Sequence, residues 1–324
     1  MGTKTIAVLL VSCLSLVMPA LASAQHRHRA DAHRRATSAA NAPDDTTDAE
    51  DTPGDATAAP EEEMPPPSPR PKSEIGLELV FHSHGRSWGS EFDFSPMLRA
   101  NIQLLDMIMV EARWGLAYAS QAPSVGDTVS SVRVGNVWLA GYYTRAFGKL
   151  RLRAGLGFTI PLASIPSPTN PKYVVAGLAL GGASAARGQL SLWTFAADSF
   201  TVALPIVGAD YPVAENLTAG AEVSSSYVIY LGDDPMIESN VLLRLAIWGA
   251  YHFGMLQAGL RLESVWLPTA SGDNAQLSIE PFARIDYGLA FARVGFVMNL
   301  DRPLGFAFDQ SGYWGLRLEG GVSF

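Results

Sequence analysis

A short polar stretch, "HSHGRS" from His82 to Ser87, holds the residue types that nucleophilic catalysis requires. The minimum set for that chemistry is a serine bonded to a histidine that an acidic group orients. The spacing matches no known enzyme motif, and strand alternation would put His82 and Ser83 on opposite faces. His82 and His84 also lack a clear third metal ligand. We therefore expect a polar strand end, with no catalytic residue, no metal site and no cofactor.

A larger set of charged residues shares a different pattern. Each lies in a short run whose alternate residues are apolar, which is typical of a β-strand with one apolar and one polar face. These residues are Arg99, Glu111, Arg113, Arg151, Arg153, Glu222, Arg244, Arg261, Glu263, Glu280, Arg284, Arg293, Arg317 and Glu319. Their mixed signs leave two interpretations open: the arginines bind acidic solutes, or the glutamates pair with them in a structural ladder.

About twelve such runs follow one another from Ile75 onward, each near the ten or so residues that a tilted membrane strand requires. No segment of helical periodicity alternates with them, which counts against folds built of βαβ units. Short connections such as "LLD" and "FGK" alternate with longer ones such as "SHGRSWGSE". The connection "ADYPVAE" is of moderate length. This alternation is typical of an up-and-down membrane barrel. We predict an all-β, antiparallel transmembrane barrel of about 12 strands.

A membrane barrel predicts which face of its wall the charged residues occupy. An Arg or Lys at the lipid-facing midplane costs about 2–4 kcal/mol. The set above is therefore predicted to face the interior and line a pore. Aromatic residues gather at the ends of the runs, as at Phe147, Tyr251 and Trp266, which is typical of the aromatic girdles at membrane interfaces.

Three regions are expected along the chain. Residues 1–24 are predicted to be a signal peptide, because an apolar run ends at the cleavage pattern Ala22-Ser23-Ala24. A lipoprotein box at Cys13 is the alternative. Residues 25–73 form a His/Arg-rich, then acidic, then Pro-rich tail that is predicted to be disordered. Residues 74–324 form the barrel, in which the long connection 164–198 either enters the lumen or caps its mouth.

Composition sets outer limits on function. The 324 residues carry a formal net charge of −8, with 48% hydrophobic and only 17% charged residues. No basic stripe stands out in the folded part, so no nucleic-acid partner is expected. Cys13 is the only cysteine, so a product that lacks the N-terminus has no disulfide and no thiolate metal site.

The sequence resembles the Gram-negative outer-membrane β-barrel proteins. The resemblance rests on the signal that ends in "ALASA", the alternating runs from Ile75, and the terminal "GLRLEGGVSF". It implies an outer-membrane location with a periplasmic tail and C-terminus, and membrane lipid and the barrel-assembly machinery as partners. It also implies that the final strand is the assembly signal, on residues Leu316, Leu318, Gly320, Val322 and Phe324.

Barrels of this kind serve several functions, so the fold alone does not decide among them. We expect a narrow passive channel or transporter for small polar or anionic solutes. The alternative is a non-conducting structural or interaction protein that acts through its outer loops or its tail. An envelope lipid-modifying enzyme that uses His82 is the third hypothesis.

Overall fold

The computed structural model of the chain describes residues 73–86, 89–189, 193–232, 239–268, 274–301 and 312–324, with the backbone alone for 84–86. The predicted signal peptide and residues 25–72 of the predicted tail lie outside this range. No helix in the described part is both long and apolar enough to cross a membrane.

Strands make up most of the described residues. They are β1 (Glu74–Arg86), β2 (Gly89–Leu105), β3 (Ile108–Pro123), β4 (Val129–Val134), β5 (Val137–Phe147), β6 (Leu150–Ile160), β7 (Ser199–Ala214), β8 (Leu217–Tyr230), β9 (Asn240–Phe253), β10 (Leu256–Trp266), β11 (Ala275–Tyr287), β12 (Ala290–Asn299) and β13 (Trp314–Ser323). One helix, α1 (Tyr173–Ala185), and a 3₁₀ turn (Trp193–Phe195) lie between β6 and β7.

The strands form a closed antiparallel barrel with twelve wall positions. β3 pairs with β4 along residues 116–121 and with β5 along residues 108–113, so β4 and β5 share one position. Every other strand pairs with its neighbour in the chain, and β1 pairs with β13 to close the ring. Closure satisfies backbone groups that lipid cannot, because an open edge would leave N–H and C=O groups without partners. The predicted architecture is confirmed.

Five two-residue turns, after β2, β5, β7, β9 and β11, lie at the same end of the barrel as Glu74 and Ser323, which we call the turn end. In three of them, Gly148, Gly254 and Gly288 adopt positive φ angles of 59°, 62° and 60°, a conformation in which a Cβ is unfavourable.

Two loop predictions were wrong. The β7–β8 connection is the two residues 215–216, and "SHGRSWGSE" belongs mostly to strands that run to Arg86 and resume at Gly89. The polar residues of these two stretches suggested loops, but a barrel strand can carry polar side chains on its inward face.

The two faces of the wall have opposite polarity. Outward side chains such as Leu98 and Leu260 are 51% and 44% exposed, whereas the inward Glu78 is 1% exposed. A soluble protein would bury such leucines and solvate the glutamate. The apolar exterior therefore fits contact with lipid tails.

The connection between β6 and β7, residues 161–198, folds into the barrel; we call it the inserted segment. Its helix α1 packs against β2, β3 and β4, with Val175, Ala179 and Leu180 in a buried cluster that includes Met97 of β2. Beyond α1, residues 185–189 contact strands on the other side of the barrel. Of the two placements left open by the sequence, the lumen is the observed one.

We predict that lipid-face substitutions depend on depth. Leu260→Arg, at the middle of β10, should lower the free energy of unfolding by about 2–4 kcal/mol. Leu256→Arg, on the same face but beside the turn, should cost only about 0–1 kcal/mol, because the longer side chain reaches the interface. Urea unfolding of the protein refolded in vesicles measures both values. Equal costs at the two positions would contradict a lipid-facing β10.

Candidate functional site

The barrel interior contains a network of arginine and carboxylate side chains. Several of its ion pairs join strands that are not neighbours in the wall. Arg99 of β2 lies 3.3 Å from Glu319 of β13, and Arg284 of β11 lies 2.7 Å from Glu74 of β1. Short contacts that skip a strand are possible only on the concave side of the wall, so these charges lie inside the barrel.

Glu78 is the centre of one half of the network. Its carboxylate lies 2.6 Å from Arg187, 3.4 Å from Arg99 and 3.5 Å from Arg317. The Glu78 and Arg187 side chains are each only 1% exposed. Arg317 continues to Glu280 at 2.9 Å, and Arg293 reaches the same carboxylate at 3.0 Å. A carboxylate this buried is stable only because several guanidinium groups surround it.

The other half centres on Glu222 of β8 and Glu263 of β10. Arg244, on the strand between them, bonds both: Nη1 donates to Glu222 at 2.8 Å and Nε donates to Glu263 at 2.5 Å. Arg153 donates to Glu222 at 2.6 Å, and Arg261 pairs with Glu263 at 2.9 Å. One arginine therefore links three strands across their inner face.

The structure places almost all of the predicted interior charges in one network of ion pairs. Arg113 pairs with Glu111, whose second oxygen accepts from Tyr142 at 2.7 Å. Thirteen of the fourteen predicted residues form ion pairs with other residues of this network, and Arg151 is in register with Asp210 on β7. Whether they line a conduction path remains a prediction.

Charged residues outside that set also belong to the network, among them Glu74, Glu78 and Arg187. Glu74 and Glu78 share the inward phase of β1, so alternation alone could have included them. Arg187 lies on no strand, and only its position in the long connection pointed to the lumen. Its guanidinium donates to Ser95 Oγ at 2.6 Å and to the Ser95 carbonyl oxygen at 2.9 Å.

The inserted segment is fastened to the wall at two places. After α1, Gln189 donates to Glu263 at 2.5 Å, and the Gly188 carbonyl oxygen accepts from Ser278 at 3.2 Å. The chain passes so close to β13 that a Cβ on Gly315 would lie 1.8 Å from the carbonyl oxygen of Ala186. This explains the glycine at that position of the strand.

The second fastening lies at the break between β4 and β5. The fully buried Asn136 donates from Nδ2 to the carbonyl oxygens of Trp193 and Ala196, at 3.1 and 2.7 Å. Its Oδ1 accepts from the backbone N–H groups of Leu162 and Ala163, both at 2.8 Å. The Trp193 ring stacks on Trp138 at 4.1 Å. The wall strand is therefore interrupted between β4 and β5, where it bonds the inserted segment.

A cavity of about 360 Å³ lies between the inserted segment and the turn end; we call it the arginine cavity. Seven arginines and three glutamates line it: Arg99, Arg113, Arg153, Arg244, Arg261, Arg284, Arg293, Glu74, Glu111 and Glu222. Within the described residues, the Nε atoms of Arg99, Arg153, Arg261 and Arg293 have no hydrogen-bond acceptor. A buried donor without a partner costs about 1–3 kcal/mol, so this wall favours an anion.

His82 of the histidine stretch belongs to the buried interior of the barrel. The His82 ring is buried, stacks on Tyr313 at 4.4 Å, and donates from Nδ1 to the carbonyl oxygen of Trp314 at 2.6 Å. Ser83 is exposed on the opposite face of β1. The side chain of His84 lies outside the described residues, and the described part holds no group of three metal-ligating side chains.

We predict that Glu78→Gln lowers the free energy of unfolding by about 3–5 kcal/mol, because Arg187 and Arg317 stay buried without their carboxylate. Glu74→Gln is the matched control. Glu74 is partly exposed, and its partner Arg284 keeps Asp286 at 2.8 Å, so a loss of no more than about 1 kcal/mol is expected. Similar losses for both variants, in urea unfolding, would contradict a central role for Glu78.

No protein-family model and no curated protein matches the chain. Solved structures do resemble it. An outer-membrane channel from Pseudomonas putida F1 gives a TM-score of 0.53 at 13% identity, over 79% of this chain and 97% of that one. The NanC porin (TM-score 0.49, 8% identity) and the KdgM porin (0.44, 10%) cover 77% and 78% of this chain and 100% and 99% of their own. The chain thus has the fold of the outer-membrane β-barrel proteins, with its subfamily open.

Proposed function

We propose that this chain is a narrow outer-membrane channel for small polar or anionic solutes. The observation that carries the proposal is the arginine cavity, where seven arginines face three glutamates. These arginines are paired with carboxylates such as Glu78, Glu263 and Glu280 that do not line the cavity, so guanidinium groups predominate at its surface, where positive charge attracts ions of the opposite sign. The likeness to the Pseudomonas putida channel supports a channel fold, and the solute class follows from the charges of this chain.

The inserted segment sets the width of the path in this proposal. It lies between the arginine cavity and a second cavity of about 380 Å³, lined by α1, Phe195 and Tyr313. Arg187 and Gln189 hold residues 185–189 against the wall through Glu78 and Glu263. A solute passing from one cavity to the other must move past these contacts.

The filled interior favours a second candidate, a non-conducting structural or interaction protein of the outer membrane that acts through its outer loops or its tail. The interior holds a folded segment, and most interior charges are already paired. The two candidates predict different results for one measurement, the ion current through the purified protein in a planar bilayer: the channel conducts and the structural protein does not.

We expect the channel to prefer anions, shown by the sign of the reversal potential in a salt gradient. Arg284→Gln should reduce that preference by roughly twofold, because a cation at the wall of the cavity is lost. Arg145→Gln is the control, since Arg145 packs over Phe147 at 5.0 Å on the outer face and should have no effect. Absence of current both in the intact protein and in an Arg187→Ala/Gln189→Ala variant would favour the structural candidate.

We also propose that the last strand carries the assembly signal on Leu316, Leu318, Gly320, Val322 and Phe324, at the periplasmic side of the outer membrane. Phe324 and Val322 are 61% and 45% exposed, so a recognition factor can reach them. The backbone N–H of Phe324 donates to the Ser73 carbonyl at 2.9 Å, at the seam that closes the barrel.

Deletion of Phe324 should therefore reduce the amount of folded protein in the membrane far more than Val125→Ala, a change in an exposed residue between β3 and β4. The folded fraction is measured on isolated membranes as the share of the protein whose gel migration changes on heating. Refolding into detergent in vitro separates assembly from stability. Normal membrane levels of the deletion variant would contradict the signal.

A further inference from the structure

The five turns at the turn end differ in polarity around the ring. The turns after β2, β5 and β7 contain the charged residues Asp106, Lys149 and Glu215. The turns after β9 and β11, Gly254-Met255 and Gly288-Leu289, contain no charged residue. Turn residues that lie in water are usually polar, so the two apolar turns indicate a different environment on one side of the barrel.

Three of these turns can be compared directly because their backbones are alike. Lys149, Met255 and Leu289 each follow a glycine of positive φ, at 59°, 62° and 60°. The turn geometry therefore does not explain why one position holds a lysine and the other two hold apolar residues. The difference reflects what surrounds each turn.

The apolar turns continue into the lipid-facing wall. Five residues here are 56–73% exposed, and we call them the apolar sector: Phe253, Met255, Tyr287, Leu289 and Phe324. Backbone bonds join its parts, since the Met255 carbonyl oxygen accepts from Asp286 at 2.9 Å and that of Leu289 accepts from Ser323 at 2.7 Å. An exposed apolar patch of this kind marks an interaction surface, and its continuity with the wall favours lipid as the partner.

The outward tyrosines nearest the turn end change level in the same direction. Tyr143 of β5 lies five residues before its turn, Tyr211 of β7 four, Tyr251 of β9 three and Tyr287 of β11 one. β5 and β11 lie six wall positions apart in a ring of twelve, on opposite sides of the barrel. At about 3.3 Å per residue, the level shifts by about 13 Å along the strand. Tyrosine is enriched at the membrane–water interface, so this interface approaches the turns from β5 to β11.

A charged side chain on the outer face agrees with this direction. Arg145 lies three residues before the turn of β5, with its guanidinium 5.0 Å from the centre of the Phe147 ring. Arginine near a membrane interface keeps its charged head at the level of the headgroups and water. The corresponding position on β11 is Ile285, which is 40% exposed and needs no such contact.

We propose that the apolar sector is immersed in the lipid leaflet next to the turn end, and that the barrel is therefore tilted toward β11. The partner is the boundary between phospholipid headgroups and acyl chains. The turn residues and the tyrosine levels are separate observations, and both give the same direction. Interfacial aromatic and basic anchors are the features that set the tilt of a membrane protein. The inference is independent of whether the barrel conducts.

The test measures depth at the matched turn positions in the full-length chain, refolded in phosphatidylcholine vesicles. A Cys13→Ser background removes the only native thiol, and Lys149→Cys, Met255→Cys or Leu289→Cys then carries a fluorescent probe. Lipid that is brominated in the upper part of its acyl chains quenches a probe that reaches it. We expect quenching at residues 255 and 289 to exceed that at residue 149 by roughly twofold or more, because only the apolar sector lies among acyl chains.

Two control positions give the limits of the measurement. Leu260→Cys lies on the lipid face of β10, and Val125→Cys replaces a residue that is 89% exposed between β3 and β4. Equal quenching by lipid at residues 149 and 289 would overturn the proposal. It would also be overturned if iodide on both sides of the membrane quenched the probe at residue 289 as strongly as that at residue 125, since the sector would then face water or a protein partner.

A charge variant tests the tilt itself. In Met255→Lys/Leu289→Lys the two turns should move into water, and a rigid barrel then carries its β5 side deeper into the membrane. Lipid quenching of a probe at Phe253→Cys should fall, and that of a probe at Phe147→Cys should rise. No change at either residue, or a fall at residue 253 with no rise at residue 147, would overturn the tilt.

Discussion

A strand in lipid must find every backbone hydrogen-bond partner in another strand, and the rest of this structure depends on that constraint. The pairing of β1 with β13 closes the ring and leaves no edge in contact with lipid. Closure also creates an inside, and side-chain alternation then assigns each residue to one of two environments. Leu77 and Glu78 are neighbours in the chain, yet one belongs to a hydrocarbon face and the other to an ionic one.

The interior behaves as a small electrostatic system of its own. Its central carboxylates are buried, and Glu222, Glu263 and Glu280 each pair with arginines from two different strands. Because Arg244 bonds Glu222 and Glu263 at once, one side chain fixes the relative positions of three strands. The same network holds Arg187, so the inserted segment and the wall share one set of ion pairs. Loss of a central charge therefore affects both.

The wall of the barrel was predictable from the sequence because period-2 alternation and the cost of charge in lipid act locally. Arg317 and Glu319 could be placed inside from their own neighbours alone. Other features depend on contacts distant in sequence. The break at Gly135 and Asn136 forms because residues 193–196 bond there, and nothing in the run "VRVGNVWL" specifies that partner. The contact of Arg187 with Glu78 spans more than a hundred residues, so spacing could not reveal it. The β7–β8 connection was predicted too long because inward polar residues look like loop residues.

The break in the fourth wall position has a mechanical consequence. At Asn136 the wall bonds the inserted segment instead of an adjacent strand: its backbone N–H donates to Thr194 at 2.6 Å, and its side chain makes four further hydrogen bonds. A Cβ on Gly135 would lie 2.7 Å from the Thr194 carbonyl oxygen, so the two backbones are in direct contact. The segment is thus a structural part of the barrel wall and not a detachable cork. Any widening of the interior that keeps this joint intact must instead break the bonds that hold residues 187–189 to Glu78, Glu263 and Ser278.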